Sequence, residues 1–261
     1  MARVPVKSGI VSGMKKTFLY FGGGLAVLLL GGYVVMVFFL GSIVKAGVTG
    51  FGPKLTKTKI ELASATISPF TGSGTLKGLV VGNPAGWSAD QAFSLGHIHV
   101  DVEPFSIFGE HIVINEIIID EAEFVYETKI VSSNIKELLK NIEEFSGGGG
   151  KAAETKTGKP IKFVVKKFRM TNGIARLGVG PAAIPVPLPP ISMDELGVKE
   201  GGITPDQLAG VVMKNVLDGI VSGTAKAALQ LGGTMGAAAR EKAATAAKGL
   251  KNLFQGDKPK P

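Results

Sequence analysis

The stretch TFLYFGGGLAVLLLGGYVVMVFFLGSIV, residues 17–44, decides how the rest of this chain is arranged. Its 28 residues carry no charge, and it is bounded by Lys15 and Lys16 on one side and by Lys45 on the other. As a helix it is about 42 Å long, more than the roughly 30 Å hydrocarbon core of a bilayer. A cleavable signal peptide has a shorter apolar region, of about 7–15 residues. The stretch therefore predicts one transmembrane helix over residues 17–45, after a short basic segment, residues 1–16.

Small residues are frequent within this helix. Gly22 and Ala26 are four positions apart and Gly24 and Gly31 are a heptad apart, so each pair allows a second helix to approach closely. Glycine is also common in transmembrane helices without a specific partner. Docking on other membrane proteins is therefore one of two interpretations of these residues.

The net charge of +8 comes from the flanks of this helix. Residues 1–60 hold eight basic residues and no acidic ones, whereas residues 61–261 hold 21 of each sign. Nucleic acid is not an expected partner, because binding it requires a basic patch on the folded domain. Lysines stand on both sides of the helix, so the positive-inside rule favours a cytoplasmic N-terminus only slightly.

The residue types of catalytic and metal sites are scarce. No cysteine is present, which excludes disulfides, thiol nucleophiles and thiolate ligands. His97 and His99 share a strand face and His111 follows on the next strand, which is geometrically compatible with a metal site, but a polar strand face is the favoured interpretation. Carboxylates at 120–123 are typical of a solvated strand turn. We expect no catalytic residues, no metal, no cofactor and no enzymatic activity.

Residues 52–130 have the pattern of β-strands. The segment 95–103 alternates apolar and polar residues, as a half-buried strand does. The alternation in 55–68 changes parity near Ala63, which predicts a bulge or a twist. Asn134 followed by Glu137 predicts a capped helix after these strands.

The second half of the chain repeats this organisation. A flexible linker is predicted at about 146–160, followed by strands. Alternating prolines in 184–191 predict an edge strand, and Thr204 and Pro205 open another helix. The fold class is thus α+β, mainly β: one N-terminal transmembrane helix and an antiparallel sheet with two or three covering helices. That this sheet is bent is implied by the family resemblance described below. The sheet domain spans 52–221, and residues 222–261 form an Ala/Gly/Lys-rich helix or tail.

One face of this sheet is a candidate groove for lipid chains. The alternative is an ordinary core closed by the helices that begin at Asn134 and Pro205, and for any single residue the core is favoured. The groove candidates are Ile98, Val100, Val102, Ile112, Ile114, Ile117, Ile119, Phe163 and Val165.

Four segments together resemble the short members of the AsmA-like family of bacterial envelope proteins. The resemblance covers roughly residues 55–220 and rests on residues that form turns, strands and a helix start, not on catalytic motifs. The segments are Ser68-Pro69-Phe70-Thr71-Gly72-Ser73-Gly74 with the following Gly78-Leu79-Val80-Val81-Gly82-Asn83-Pro84, the strand Ile112-Val113-Ile114-Asn115-Glu116-Ile117, the helix start Ser133-Asn134-Ile135, and the Pro-Leu-Pro-Pro edge strand before Gly197 and Thr204-Pro205.

This resemblance implies a single-pass inner-membrane protein with a cytoplasmic N-terminus and a periplasmic C-terminal domain. Larger members are linked to phospholipid movement and outer-membrane assembly. About seven strands at 4.8 Å spacing extend only about 34 Å, so this sheet cannot cross an envelope alone. The expected function is lipid handling or outer-membrane maintenance through an apolar sheet groove, with the bilayer and bound lipid as partners. The alternative is a non-enzymatic assembly subunit of a larger inner-membrane complex.

Overall fold

The computed structural model describes residues 10–130, 132–149, 153–154 and 158–234. Side chains are described from Gly23 onward, without those of residues 148, 149 and 227–234. Most of the tail predicted for 222–261 lies outside these ranges.

The first element is one long helix, α1 (Ile10–Thr56), of 47 residues. Its segment Gly23–Thr56 is long and apolar enough to cross a membrane, with a mean hydropathy of 2.5 and 6% of that window buried. The apolar helix predicted from the sequence is confirmed, but it does not end near residue 45. It continues through Pro53 to Thr56, and this extra length lies against the sheet.

The remaining elements are eight strands and two further helices. In chain order they are β1 (Ile60–Ile67), β2 (Ser73–Gly82), β3 (Gln91–Val102), β4 (Ile112–Tyr126), α2 (Asn134–Glu144), β5 (Phe163–Met170), β6 (Ile174–Leu177), β7 (Ile184–Pro187), β8 (Ile191–Leu196) and α3 (Pro205–Thr234). The strands form one sheet in the order β1-β2-β3-β4-β5-β8, with β6 beside the second half of β4 and β7 beside β6. The fold class, α+β and mainly β, is confirmed.

The sheet is mixed, not antiparallel throughout as predicted. β4 pairs in parallel with both β5 and β6. Parallel neighbours need a crossover connection, and α2 lies in the connection from β4 to β5. The proline-rich strand β7 pairs only with β6, so its prediction as an edge strand is confirmed.

Pairing is interrupted at one level across the sheet, within β1–β4 and in the gaps between β5 and β6 and between β7 and β8. The registers skip the pair Ala63 and Gly78 between β1 and β2 and then continue unchanged, and equivalent gaps fall at Gly96, Glu121 and Asn172. We call these residues, together with Pro189 between β7 and β8, the interruption row. The change of parity predicted near Ala63 is confirmed, but it is not a bulge, because the β1–β2 register is the same on both sides of Ala63.

The interruption row keeps the apolar residues on one face. Gly78, Glu121 and Asn172 have positive φ angles, of 62°, 58° and 52°. A left-handed residue shifts the strict alternation of a strand by one position. In β4 the buried residues accordingly step from Ile119 to Ala122 across the row, and both belong to the same core cluster.

Helices α2 and α3 cover this apolar face. α2 buries Ile135, Leu138 and Ile142, and α3 buries Val216 and Ile220. The predicted cap at Asn134 is wrong by one residue, because Ser133 is the N-cap and accepts a hydrogen bond from the Lys136 amide. Asn134 instead lies inside the fold, where its amide donates to the Val125 carbonyl and the Asn83 side chain.

The C-terminal half of α1 packs along the edge strand β1. Gly41 approaches Ala65 so closely that a Cβ at Gly41 would clash with the Ala65 carbonyl oxygen. Lys45 Nζ donates to the Ala63 carbonyl at 3.0 Å, in the interruption row. At the end of the helix, the Asn141 side chain of α2 donates to the Thr56 carbonyl at 2.9 Å. The helix thus covers an edge that would otherwise present unpaired backbone groups.

We expect Gly41→Ala to lower the free energy of unfolding by about 1–3 kcal/mol, because the added methyl group pushes α1 away from β1. The matched variant is Gly47→Ala, since a Cβ at Gly47 meets nothing within 4 Å. Thermal unfolding in detergent and hydrogen exchange of the β1 amides measure the effect. Equal stability and equal exchange in the two variants would show that α1 does not rest on β1.

A second prediction concerns the interruption row. Gly78→Ala is expected to cost about 1–2 kcal/mol, because alanine is disfavoured at a φ of 62° and its Cβ would lie 3.0 Å from that of Ala63. Gly147→Ala, where a Cβ meets nothing within 4 Å, is the control. Denaturant unfolding followed by circular dichroism compares the two, and a neutral Gly78→Ala would contradict the strained geometry.

Candidate functional site

The nine groove candidates lie together on the apolar face of the sheet. Each belongs to one core cluster or packs against it. Their burial differs, however. Those less than a tenth exposed are Ile98, Ile114, Ile119 and Val165. Those half-buried are Val100, Val102, Ile112, Ile117 and Phe163.

The half-buried residues are concentrated at one end of the sheet. Val102 ends β3, while Ile112 begins β4 and pairs with Phe163 at the start of β5. We call this the proximal end; it also contains the β1–β2 turn (68–72), the β3–β4 connection (103–111) and the β8–α3 loop (197–204). The opposite end, with the β2–β3 turn (83–90) and the β4–α2 loop, is the distal end.

The distal half of the apolar face is closed by α2. Phe124 of β4, Ile135 and Leu138 are at most 2% exposed. Asn134 fixes the start of α2 on the sheet, because its Oδ1 accepts from the Glu127 amide at 3.0 Å while its amide group donates to β4 and to Asn83. The distal half of the apolar face is therefore covered, and the less covered part lies toward the proximal end.

A cleft that the sequence did not indicate lies at the proximal end. It has a volume of about 640 Å³ between the β8–α3 loop and the first turns of α3. Its walls combine apolar side chains with charged residues of both signs: Leu196, Ile203 and Val211, the lysines Lys162 and Lys199, and the acidic residues Asp194, Glu195 and Glu200. The cleft depends on a loop that folds back onto β5, where the Phe163 amide donates to the Ile203 carbonyl. No local sequence pattern indicates that contact.

The β4–α2 connection and the β2–β3 turn are joined by a carboxylate at the distal end. Glu127 accepts hydrogen bonds from the Ser88 amide, the Ser88 hydroxyl and the Ala89 amide. Slight burial acts to raise the pKa of Glu127, but these hydrogen bonds and nearby Lys129 outweigh it and hold the pKa below its usual value. The group is structural, since it ties two loops together.

The carboxylates at 120–123 join neighbouring strands. Asp120 accepts from the Asn172 side chain at 2.8 Å, and Glu123 pairs with Arg176. Glu121 lies 3.5 Å from His97 Nδ1. Within the described residues no group of three or more His, Asp or Glu side chains is placed to hold a metal ion. These carboxylates link β4 to β3 on one side, and to β6 and the β5–β6 turn on the other.

The helix-packing candidates are on the exposed part of α1. Gly24, Ala26 and Gly31 are exposed, and a Cβ at Gly24 or Gly31 meets nothing within 4 Å. The surroundings of Gly22 lie outside the described side chains. The glycines that do pack closely are Gly41 and Gly52, which contact β1 and not a second helix. Gly41 and Gly52 lie on roughly the same side of the helix as Tyr33 and Val48, and this spacing is the pattern in the sequence that could have identified them.

Comparison of the chain with protein-family models, with curated proteins and with solved structures finds no match in any of the three.

Proposed function

We propose that the chain is a single-pass membrane protein that binds lipid acyl chains at the proximal end of its apolar sheet face. It would act in lipid handling or outer-membrane maintenance of a bacterial envelope, in keeping with the AsmA-like segments. The observation that carries the proposal is the gradient of burial along this face. Val100, Val102 and Phe163 remain half-buried at the end where the apolar helix leaves the domain, whereas the distal half is closed.

The mechanism we propose is passive shielding. Apolar surface removed from water contributes about 25 cal/mol per Å², so a chain laid on this face gains free energy without any bond being made or broken. The sheet is six strands wide where β5 and β6 share one position and β7 and β8 share the next. At about 4.8 Å per strand that is about 29 Å, so transport across an envelope requires partner proteins.

The structure sharpens the proposed orientation. Lys54, Lys57 and Lys59 follow the apolar stretch in sequence, but they lie at the distal end beside the start of β1. Along α1, Lys54 is about 32 Å from Tyr33, which contacts the proximal end. Lys45 is then the basic residue nearest the membrane after the apolar stretch, against Lys15 and Lys16 before it, and this asymmetry supports a cytoplasmic N-terminus and a periplasmic sheet domain.

Lipid binding is tested on the full chain in mild detergent, because removing α1 would uncover β1. Native mass spectrometry is expected to detect bound phospholipid. Val100→Asp and Phe163→Asp are expected to lose most of it, because each places an unpaired carboxylate at a half-buried apolar position. Ile130→Asp, at a distal side chain that is 95% exposed, should retain the lipid.

Two results would contradict the lipid proposal. One is an unaltered chain that carries no phospholipid. The other is a pair of folded aspartate variants, with unchanged circular dichroism, that retain as much lipid as Ile130→Asp. Either result would favour the alternative function, an assembly subunit of a membrane complex.

The alternative rests on the uncovered small-residue face of α1. Gly24 and Gly31 make no close contact with the rest of the described chain, so another helix can approach there. We expect Gly24→Leu combined with Gly31→Leu to abolish co-purification of a stoichiometric membrane partner, while Gly47→Leu leaves it unchanged. A partner that survives the double substitution would exclude docking through this face.

A further inference from the structure

Large apolar side chains are exposed at the proximal end. Phe105 and Phe108 are each 83% exposed, Phe70 is 76% exposed and Ile107 is 54% exposed. Phe70 is at the tip of the β1–β2 turn, and the others lie in a single 3-10 turn, Pro104–Phe108. Each aromatic ring left in water forgoes about 1.5–3 kcal/mol of burial, so a cluster of this kind indicates a surface that is covered by something.

The two turns lie side by side. The Val102 amide donates to the Gly72 carbonyl at 3.1 Å, which joins the end of β3 to the β1–β2 turn. Gly72 has a φ of 73°, and a Cβ there would lie 3.2 Å from the Pro104 ring and clash with the Val102 carbonyl oxygen. Phe70 and the 3-10 turn therefore lie on adjacent segments of the proximal end, and we call their exposed side chains, Phe70, Phe105, Ile107 and Phe108, the aromatic rim.

The aromatic rim is fixed at a defined height along α1. The rings of Tyr33 and Phe70 stack with their centroids 5.7 Å apart and their planes 12° apart. The Tyr33 hydroxyl lies 3.5 Å from Ser68 Oγ. Tyr33 is within the band of exposed apolar side chains that extends from Leu25 to Ile43 on α1. The depth of the helix in a bilayer consequently sets the depth of the aromatic rim.

That depth follows from the length of the helix. For an upright helix whose hydrocarbon segment begins after Lys16, a core of roughly 30 Å is crossed by about 20 residues and ends near Met36. Tyr33 then lies about 5 Å inside the boundary. This is the level at which tyrosine and tryptophan are enriched and at which interfacial aromatic side chains insert, about 5–10 Å deep.

Deeper placement of the domain is disfavoured by its charges. If the core ended at Ile43, the proximal end would be submerged by about another 10 Å, given seven more residues at about 1.5 Å each. Asp101 and Glu103, next to the aromatic rim, would then enter hydrocarbon, where an acidic group costs at least about 2.5–3.5 kcal/mol. A shallow position satisfies both the aromatic rings and these carboxylates.

We propose that the aromatic rim inserts into the leaflet next to the domain, so that Phe70, Phe105 and Phe108 contact phospholipid at the border between headgroups and acyl chains. The proposal rests on the membrane anchoring by α1 stated above and is independent of lipid uptake by the sheet. It places the half-buried end of the apolar face directly over the leaflet.

The absence of cysteine from the chain allows a direct test. Full-length variants Phe70→Cys, Phe108→Cys, Leu28→Cys and Ile130→Cys are labelled with an environment-sensitive fluorophore. They are reconstituted in vesicles of phosphatidylethanolamine and phosphatidylglycerol. Quenching by lipids that carry a spin label near the headgroup, or near the end of the acyl chain for position 28, is compared with quenching by aqueous iodide. Leu28 reports the helix, and Ile130, 95% exposed at the distal end, is the control.

At positions 70 and 108 we expect emission at shorter wavelength, strong quenching by spin-labelled lipid and loss of quenching by iodide. Position 130 should show the reverse. If position 28 is quenched by lipid but 70 and 108 behave like 130, the rim does not insert, although the anchor stands. Blue-shifted emission at 70 and 108 without lipid quenching would assign the rim to a protein contact and overturn the proposal. If position 28 is also unquenched, the anchoring fails and the proposal fails with it.

Discussion

Gly41 of α1 lies directly against the Ala65 carbonyl of β1, and the arrangement of helix and sheet depends on that approach. Without a side chain between them, the helix axis comes close enough for Lys45 to reach the Ala63 carbonyl and for Tyr33 to stack on Phe70. The contact also protects the first edge of the sheet, since a helix covers the strand whose outer backbone groups would otherwise be open to pairing. For this reason α1 and the sheet are packed together along the length of β1.

The interruption row has a comparable role within the sheet. The apolar residues of β4, a strand of 15 residues, change from one parity to the other along its length, so a perfectly regular strand would turn some of them to the opposite face. The interruption row shifts the backbone by one position at that level. The apolar residues on both sides of the row therefore point to the same face. Lys45 bonds to Ala63 in this row, so the helix contacts the sheet at the level where its pairing is weakest. The distal half is then closed by α2, while the proximal half remains partly open.

Local patterns predicted much of this architecture. The apolar helix, the parity change near Ala63 and the proline edge strand are each encoded in a few neighbouring residues, and the structure has all three. The parallel pairing of β4 with β5 was missed, because the two strands are separated by a linker whose sequence does not indicate how they are arranged. The cap was predicted at Asn134 and not at Ser133, because the sequence does not show that the Asn134 side chain donates a hydrogen bond to the distant Asn83.

The nine groove candidates all lie on the apolar face of the sheet. Alternation identifies which side of a strand is apolar, but it does not identify which part of that side is covered, because coverage depends on α2 and α3. The packing role of Gly41 was missed for a related reason. A glycine in an apolar helix is equally compatible with lipid, with another helix and with the protein's own sheet, and only the position of β1 distinguishes these.

The uninterrupted course of α1 has a mechanical consequence. Where a flexible linker separates an anchor from a domain, the two orient independently, whereas here the helix continues for the length of β1 and the sheet must rotate with it. In a bilayer, the part of α1 inside the hydrocarbon core would change its tilt as the thickness of that core changes. Any inclination of the helix is passed to the sheet in full. A thinner bilayer would tilt the domain toward the membrane surface, and a thicker one would bring it upright. The thickness of the membrane would thus set the angle between the domain and the membrane plane.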